Sequence, residues 1–233
     1  MESDILKFIC ANQGAVDTDY LVSNLGCSVS DIICNQEKFA SCLPFGQPKV
    51  VVRTSLRLCR AKACEGSCGG LHLCKSFLFS GFCQFSQSRK GCYFSHELSS
   101  DYNERILKEH GLNILSRTEL CTLLLQSDDR LLPPICHDYN HGYGMFGYCP
   151  DGYGCKRLHV CERYLNRDCR CSRSHDFNAP QPSRVLQGVP QDLISSLKSI
   201  YANMQALKYH DQGNRRNKGS RPLRSSRLSC YYI

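Results

Sequence analysis

Apolar residues fall in short clusters with helical or alternating spacing, separated by cysteine-rich stretches that show neither period. Within residues 4–12, Ile5, Phe8 and Ile9 recur at helical intervals and Gly14 supplies a stop. Asp17 or Thr18 can cap a second helix over Tyr20–Leu25. Ser28 or Ser30 can cap a third, Asp31–Lys38, carrying Ile32 and Ile33. Phe39–Leu43, a turn region at Pro44, Gly46 and Pro48, and Lys49–Thr54 with three consecutive valines predict a hairpin. Helical spacing returns after residue 98. Ser99 or Ser100 opens a helix through Tyr102, Ile106 and Leu107 to a stop near Gly111, and Ser116 with Glu119 forms a capping box ahead of Leu120–Gln126. Pro133 and Pro134 end that helical stretch. Two more helices are expected, Ser183–Gln187 and Pro190–Leu207, the latter with Leu193, Ile194, Leu197, Ile200, Tyr201 and Met204 on its apolar face.

Three small helices followed by a hairpin is the order of a winged helix, so residues 1–58 are expected to form one. Its third helix offers little beyond Asn35, Gln36 and Lys38 to read a DNA groove, which favours a packing or protein-facing role. Cys10, Cys27, Cys34 and Cys42 fall at apolar positions and read as small core residues.

The pattern-free stretches carry the chemistry. Cys59, Cys64, Cys68 and His72 are followed directly by Cys74, Cys83, Cys92 and His96, each set ending C-x3-H. Cys136, Cys149, Cys155 and His159, then Cys161, Cys169, Cys171 and His175, repeat the arrangement, and LHLC at 71–74 is echoed by LHVC at 158–161. Three thiolates and one imidazole suit the tetrahedral preference of Zn²⁺, and four protein ligands leave no open position to activate water. Four structural zinc ions are therefore expected. The fourth site is the least regular, because only Arg170 separates Cys169 from Cys171. His137 and His141 lie close enough to compete as ligands but read as free surface histidines. Fingers one and two (59–98), a helical linker (99–135), fingers three and four (136–177) and C-terminal helices (178–207) make the order finger, finger, helix, helix occur twice, the signature of a duplication. The expected fold class is α+β, mostly α and irregular: a winged-helix domain, then four CCCH fingers in two pairs packed with short helices.

Eighteen cysteines in 233 residues would suit a secreted disulfide scaffold. The acidic start, MESDILKFICANQG, lacks the basic and apolar regions of a signal peptide, and no apolar run approaches a bilayer span. Reduced thiols and a cytoplasmic location follow as the expectation, with a nuclear one left open by the basic residues Arg215, Arg216, Lys218, Arg221, Arg224 and Arg227 in a tail, 208–233, that reads as disordered. The formal charge of +8 favours an anionic partner, nucleic acid first.

Small fingers without a broad helix or sheet expose main-chain amides to the edges of splayed bases, while rings stack and cations hold phosphates. Phe85, Tyr93 and Phe94 flank ligands of finger two and are candidate stacking rings; Phe77 and Phe79 read as core. Arg60, Lys62, Lys75, Arg89 and Lys90 cluster around the same finger as candidate phosphate contacts. In finger three, Tyr139, Tyr143, Phe146, Tyr148 and Tyr153 alternate with glycines in a loop expected to be mobile.

The run RLCRAKACEGSCGGLHLCK, then YFSHEL, LCTLLLQSDDRLLPPIC, KRLHVC and SRSHDF, in that order, resembles the amino-terminal region of the family that unites the zinc-finger antiviral protein with the CCCH-type poly(ADP-ribose) polymerases. The likeness covers residues 1 to about 207 and is nearer to the ADP-ribosylating relative. It implies single-stranded RNA binding, including CpG steps, with contacts at Arg60, Lys62, Lys75, Phe85, Tyr93 and Phe94. The expected function is thus a non-enzymatic, zinc-dependent RNA-binding module of innate antiviral defence that recognises viral or cellular RNA and recruits effector proteins, with a homo-oligomer on RNA among its expected assemblies. Two alternatives stand beside it: the RNA-targeting part of a mono-ADP-ribosyltransferase whose catalytic domain is missing here, and a protein-interaction scaffold. No catalytic domain precedes the closing RPLRSSRLSCYYI, which reads as a short isoform, fragment or truncated product.

Overall fold

Helix α1 (Glu2–Ala11) turns Ile5, Leu6, Ile9 and Cys10 inward; of the predicted face Ile5, Phe8 and Ile9, Phe8 is only half-buried. In the computed structural model, which describes residues 1–26, 28–62, 64–142 and 148–219, it leads into strand β1 (Ala15–Asp17) and helix α2 (Thr18–Leu25). The Asp17 carboxylate caps α2 by accepting from the Asp19 and Tyr20 N–H groups. Helix α3 (Val29–Ile32) follows, then strands β2 (Phe39–Cys42) and β3 (Lys49–Val52). The three strands form an antiparallel sheet in the order β1-β3-β2, with Ala15 opposite Val51 and Phe39 opposite Val52.

Two local expectations change here. Strand β1 leaves no mark in the sequence: three residues are too few to show a period of two, and only pairing with β3 makes the segment a strand. The third helix stops at Ile32 instead of reaching Lys38. Its expected continuation is drawn to α1, where Asn35 Nδ2 donates to Glu2 at 3.1 Å and Lys38 Nζ sits 2.6 Å from the same carboxylate. These bonds to Lys38 and Asn35 hold the Glu2 carboxyl below its ordinary value. Two of the three side chains considered for reading bases, Asn35 and Lys38, are thus engaged with α1, and Gln36 is exposed. Cys10 is buried and Cys42 half-buried, but Cys34 is exposed, so it is no core residue; Cys27 lies outside the described residues.

Helix α4 (Lys75–Ser80), inside finger two, buries Leu78 and Phe79 and half-buries Phe77, which accounts for the apolar character of that loop. Helix α5 (Asp101–Glu109) is capped by Ser100. Helix α6 (Arg117–Ser127) has both arms of the predicted capping box, with Ser116 N donating to Glu119 at 2.7 Å and Glu119 N to Ser116 Oγ at 3.3 Å. Short helices α7 (His137–His141) and α8 (Glu162–Asn166) each follow the first cysteine of a finger. Helix α9 (Pro180–Val185) starts three residues ahead of its predicted Ser183, because Pro180 and Pro182 are accommodated in a first turn that needs no amide donors.

Helix α10 (Gln191–Gly219) runs past its expected end at Leu207, so residues 208–219 of the tail read as disordered are helical. Tertiary contacts hold that extension: Arg53 makes two hydrogen bonds to Asp211, at 2.7 and 3.2 Å, and Lys208 faces Asp129 at 3.8 Å. Arg221, Arg224 and Arg227 lie outside the described residues, and the side chains of Arg215, Arg216 and Lys218 are not described. Among the described residues no helix is long and apolar enough to cross a membrane.

One contiguous buried cluster joins these parts, taking in Leu6 of α1, Val50 of β3, Leu71 and Leu158 beside finger ligands, Leu124 of α6 and Leu197 of α10. At its centre Gln126, 3 % exposed, donates to the carbonyls of Gly14 (3.0 Å) and Val52 (2.6 Å) and accepts from Asn203 at 2.9 Å. Small fingers gain a core this way that they could not make alone.

Candidate metal centres and nucleic-acid interface

The two finger pairs are built on the same main-chain frame. In the first, Leu58 and Leu71 form a parallel bridge, with Cys59 N donating to Leu71 O (2.9 Å) and Leu71 N to Arg57 O (2.8 Å). In the second, Ile135 and Leu158 do the same, through Cys136 N to Leu158 O (2.8 Å) and Leu158 N to Pro134 O (2.9 Å). A buried amide then fixes each histidine-bearing strand. Asn103 accepts from His72 N, and Gln181 accepts from His159 N, both at 2.9 Å. Neither amide is conspicuous in the sequence, where a lone Asn or Gln in a helix carries no signal.

All sixteen predicted ligands are brought together as four Cys3His groups: Cys59, Cys64, Cys68, His72; Cys74, Cys83, Cys92, His96; Cys136, Cys149, Cys155, His159; and Cys161, Cys169, Cys171, His175. Within each group the donor atoms lie within 4.8 Å of one another. A tetrahedron with metal–sulfur bonds of about 2.3 Å has sulfur–sulfur edges of about 3.8 Å. Cys136 Sγ stands 3.7 Å from Cys149 Sγ and 3.8 Å from Cys155 Sγ, and Cys161 Sγ stands 3.9 and 3.5 Å from those of Cys169 and Cys171. The fourth group, irregular in sequence, is therefore as compact as the third. His96 and His159 bury an Nε2 with no hydrogen-bond partner, the condition a metal would relieve. Every described cysteine is free of disulfide. The groups fit four zinc ions held as thiolate and imidazole complexes.

Local dipoles favour thiolate at the open edges of these groups. The Gly70 N–H and His72 draw the Cys68 thiol down to about 6. Burial pushes Cys171 up, but the Arg173 N–H and His175 outweigh it and leave its thiol at about 6. Where burial dominates, Cys136 is pushed up to about 11. The third group is fully buried and the first holds the exposed Cys68.

Each ligand histidine is stacked on a ring. His96 packs on Phe77 (5.2 Å between centroids), His159 on Tyr139 (4.5 Å) and His175 on Tyr164 (5.0 Å). Phe77, Tyr139 and Tyr164 stand three residues after the first cysteine of their own fingers. Finger one breaks the rule. Lys62 holds that position, and His72 is stacked instead by Tyr102 of α5 at 4.1 Å. A cleft of about 160 Å³ opens there, lined by Lys62, Tyr93, Phe94 and Ser95 and floored by the finger-one metal ligands Cys59, Cys64 and His72, with the Lys62 ammonium 5.6 Å from the centre of the Tyr93 ring.

Three of the eight residues expected to touch nucleic acid thus converge on one cleft: Lys62, Tyr93 and Phe94. Tyr93 is 68 % exposed, as a stacking ring must be. Arg60 and Lys75 form a neighbouring positive edge. Arg60 is anchored through Nη2 to the Arg130 carbonyl at 2.9 Å, and partial burial together with the Arg60 charge pushes the Lys75 ammonium below its ordinary value. Arg130 in turn chelates the buried Asp128 carboxylate at 2.8 and 3.0 Å. Phe85, Arg89 and Lys90 are exposed, on or just after the turn Gln84–Gln87, and none of them lines the cleft. His137 and His141 stack on each other at 4.6 Å outside the ligand groups, as free histidines. Tyr143 and Phe146 lie outside the described residues.

Comparison with known proteins agrees with this geometry. The family model described as PARP12-like CCCH zinc finger tandem matches residues 57–103. The chain is 42 % identical to the mouse protein mono-ADP-ribosyltransferase PARP12 over 73 % of its length, and 34 % identical to the human protein over 95 %. It is 32 % identical to the rat zinc finger CCCH-type antiviral protein 1 over 88 % of its length. It spans 24 %, 33 % and 28 % of those three relatives, between about a quarter and a third of each.

Proposed function

From the homology of the chain to the PARP12 mono-ADP-ribosyltransferases and the CCCH-type antiviral proteins, with the PARP12-like finger tandem at residues 57–103, we propose that it is a zinc-dependent single-stranded RNA-binding module of antiviral defence. The observation that carries this reading is the cleft between fingers one and two. An exposed tyrosine ring, a half-buried phenylalanine, a lysine and main-chain amides surround a space beside a structural metal group, and that combination stacks and hydrogen-bonds a splayed base. Arg60 and Lys75 continue the positive edge for the phosphates, and Arg89, Lys90 and Phe85 extend it if the strand leaves over the Gln84–Gln87 turn.

In this reading the metals are structural. Zinc supplies the covalent frame of each finger, and the chain's own residues do the recognising: Tyr93 and Phe94 present rings, Lys62 presents charge, and Asn103 holds the His72 strand rigid beneath them. Residues 1–58, with their helix–strand–helix–helix–strand–strand order, serve as a winged-helix domain that packs against the rest instead of reading DNA, since Glu2 engages Asn35 and Lys38. The segments 59–98 and 136–177 are the finger pairs, with 99–135 and 178–207 as their helical supports. A reducing cytoplasmic setting, with RNA and effector proteins as partners, suits a chain rich in free thiols.

Fluorescence anisotropy of the zinc-loaded chain with single-stranded RNA at two salt concentrations tests the proposal. Binding that weakens with salt and falls in Lys62→Ala and Tyr93→Ala supports it; no binding at low salt overturns it. A second reading, the RNA-targeting part of a mono-ADP-ribosyltransferase, is favoured by the names and greater lengths of the PARP12 relatives. A transcript that continues past Ile233 into a nicotinamide-dependent catalytic domain would select it.

A further inference from the structure

On the main-chain frame that the finger pairs share, Lys62 is the counterpart of Tyr139, Phe94 of Arg173 and Ser95 of Ser174, because Cys74 N donates to Ser95 O and Cys161 N to Ser174 O, each at 2.8 Å. The counterparts of His72, Phe94 and Ser95, which line an open cleft in the first pair, turn onto Tyr139 in the second. Its ring lies on His159 with planes 7° apart, its hydroxyl oxygen accepts from the Ser174 N–H at 2.7 Å, and Arg173 Nε donates to its carbonyl at 3.0 Å. In the first pair Lys62 puts no ring on His72, and the Ser95 N–H has no acceptor among the described residues. Tyr102, which stacks on His72, is not part of the cleft wall, so the imidazole face toward the cleft is left for another ring.

We propose that Tyr139 is a built-in plug that closes the second finger pair to nucleobases, so that the duplicated module presents one base cleft and not two. The inference rests on the cleft reading above and deepens it. The phenol of Tyr139 is an aromatic ring bearing an acceptor oxygen, stacked on a ligand histidine and hydrogen-bonded to a main-chain amide. A pyrimidine or purine carbonyl entering the first cleft can make the same two contacts, with His72 and the Ser95 N–H, and Lys62 adds the charge that a tyrosine lacks. The plug therefore marks Ser95 N–H and His72 as base contacts, and the residue three places after the first cysteine of each pair decides whether that pair is open. Pair two keeps the exposed cations Lys156 and Arg170 for phosphate contact, which carries no base preference.

The test uses the full zinc-loaded chain and a hexanucleotide single-stranded RNA of mixed sequence. In the wild-type chain, saturation with RNA shifts the Ser95 amide resonance and leaves that of Ser174 in place; a Ser174 shift as large as that of Ser95 overturns the plug. Lys62→Tyr, which copies finger three into finger one, weakens binding about tenfold or more with zinc content retained. Unchanged affinity in that variant overturns the cleft reading itself. Tyr139→Lys adds a second binding equivalent in equilibrium dialysis, and a single equivalent with zinc content unchanged overturns the plug alone. If Tyr139→Lys loses metal from finger three, the two wild-type amide resonances decide the matter.

Discussion

Asn203 on α10 donates from its side-chain amide to Oε1 of Gln126 on α6 at 2.9 Å, and the two residues are 2 % and 3 % exposed. The same Asn203 nitrogen reaches the Gln13 carbonyl at 2.9 Å, while Gln126 holds those of Gly14 and Val52. This network ties the N-terminal unit, the linker between finger pairs and the last helix through buried groups that water cannot satisfy.

Replacing Gln126 by leucine strands the Val52 carbonyl and half of the Asn203 amide, and leaves the Gly14 carbonyl with its bond from the Val52 N–H at 3.1 Å alone. Each buried group left unpaired costs about 1–3 kcal/mol. Urea unfolding of the zinc-loaded Gln126→Leu chain should show a lower midpoint, and Asn203→Ala a smaller loss in the same direction. Stability equal to wild type would mean that these groups are open to water in solution.

Gly14 should tolerate no side chain. Its φ is +80°, and a Cβ would stand 2.2 Å from Gln126 Oε1. Gly14→Ala combines left-handed strain of about 1–3 kcal/mol with displacement of the central amide. Thermal unfolding checks it, and the loss should shrink in a Gln126→Ala background, where the clash is removed.

Metal should leave the fingers in an order set by burial. The third group is fully buried, whereas the first exposes Cys68. During slow chelation, mass-spectrometric mapping of cysteine alkylation should find Cys68 and Cys64 modified first and Cys136, Cys149 and Cys155 last. Cys10 and Cys121, whose thiols burial pushes up to about 12, should stay unmodified until the core opens. Modification of finger three ahead of finger one would contradict the arrangement.

The electrostatic contribution to RNA binding divides by residue. Each phosphate that a variant no longer neutralises on a single strand lowers the slope of log affinity against log salt by about 0.7. Arg60→Ala and Lys75→Ala should each produce such a step. Arg89→Ala and Lys90→Ala should do so only if the strand crosses the Gln84–Gln87 turn, so the salt titration maps the strand's path.

Much of the molecule is legible in its residue order. The sixteen zinc ligands, the duplication, the Ser116–Glu119 capping box and the Asp17 cap are written in short spacings, because cysteine and histidine chemistry and helix capping act over a few residues. The rest is decided by partners far away in the chain. The third helix ends early where Asn35 and Lys38 meet Glu2, β1 exists only beside β3, and α10 continues to Gly219 past the contact between Asp211 and Arg53. Which aromatic and cationic residues matter is decided in the same way. Phe79 on the inner face of α4 is buried while Tyr93 stands in solvent, and Lys62 and Tyr139, equivalent in spacing, differ in that one leaves a cleft and the other fills it. Local spacing can specify where metal is held, since the ligands of one ion lie close in the chain. An open cleft forms between segments tens of residues apart, and only their packing settles whether a ring enters it.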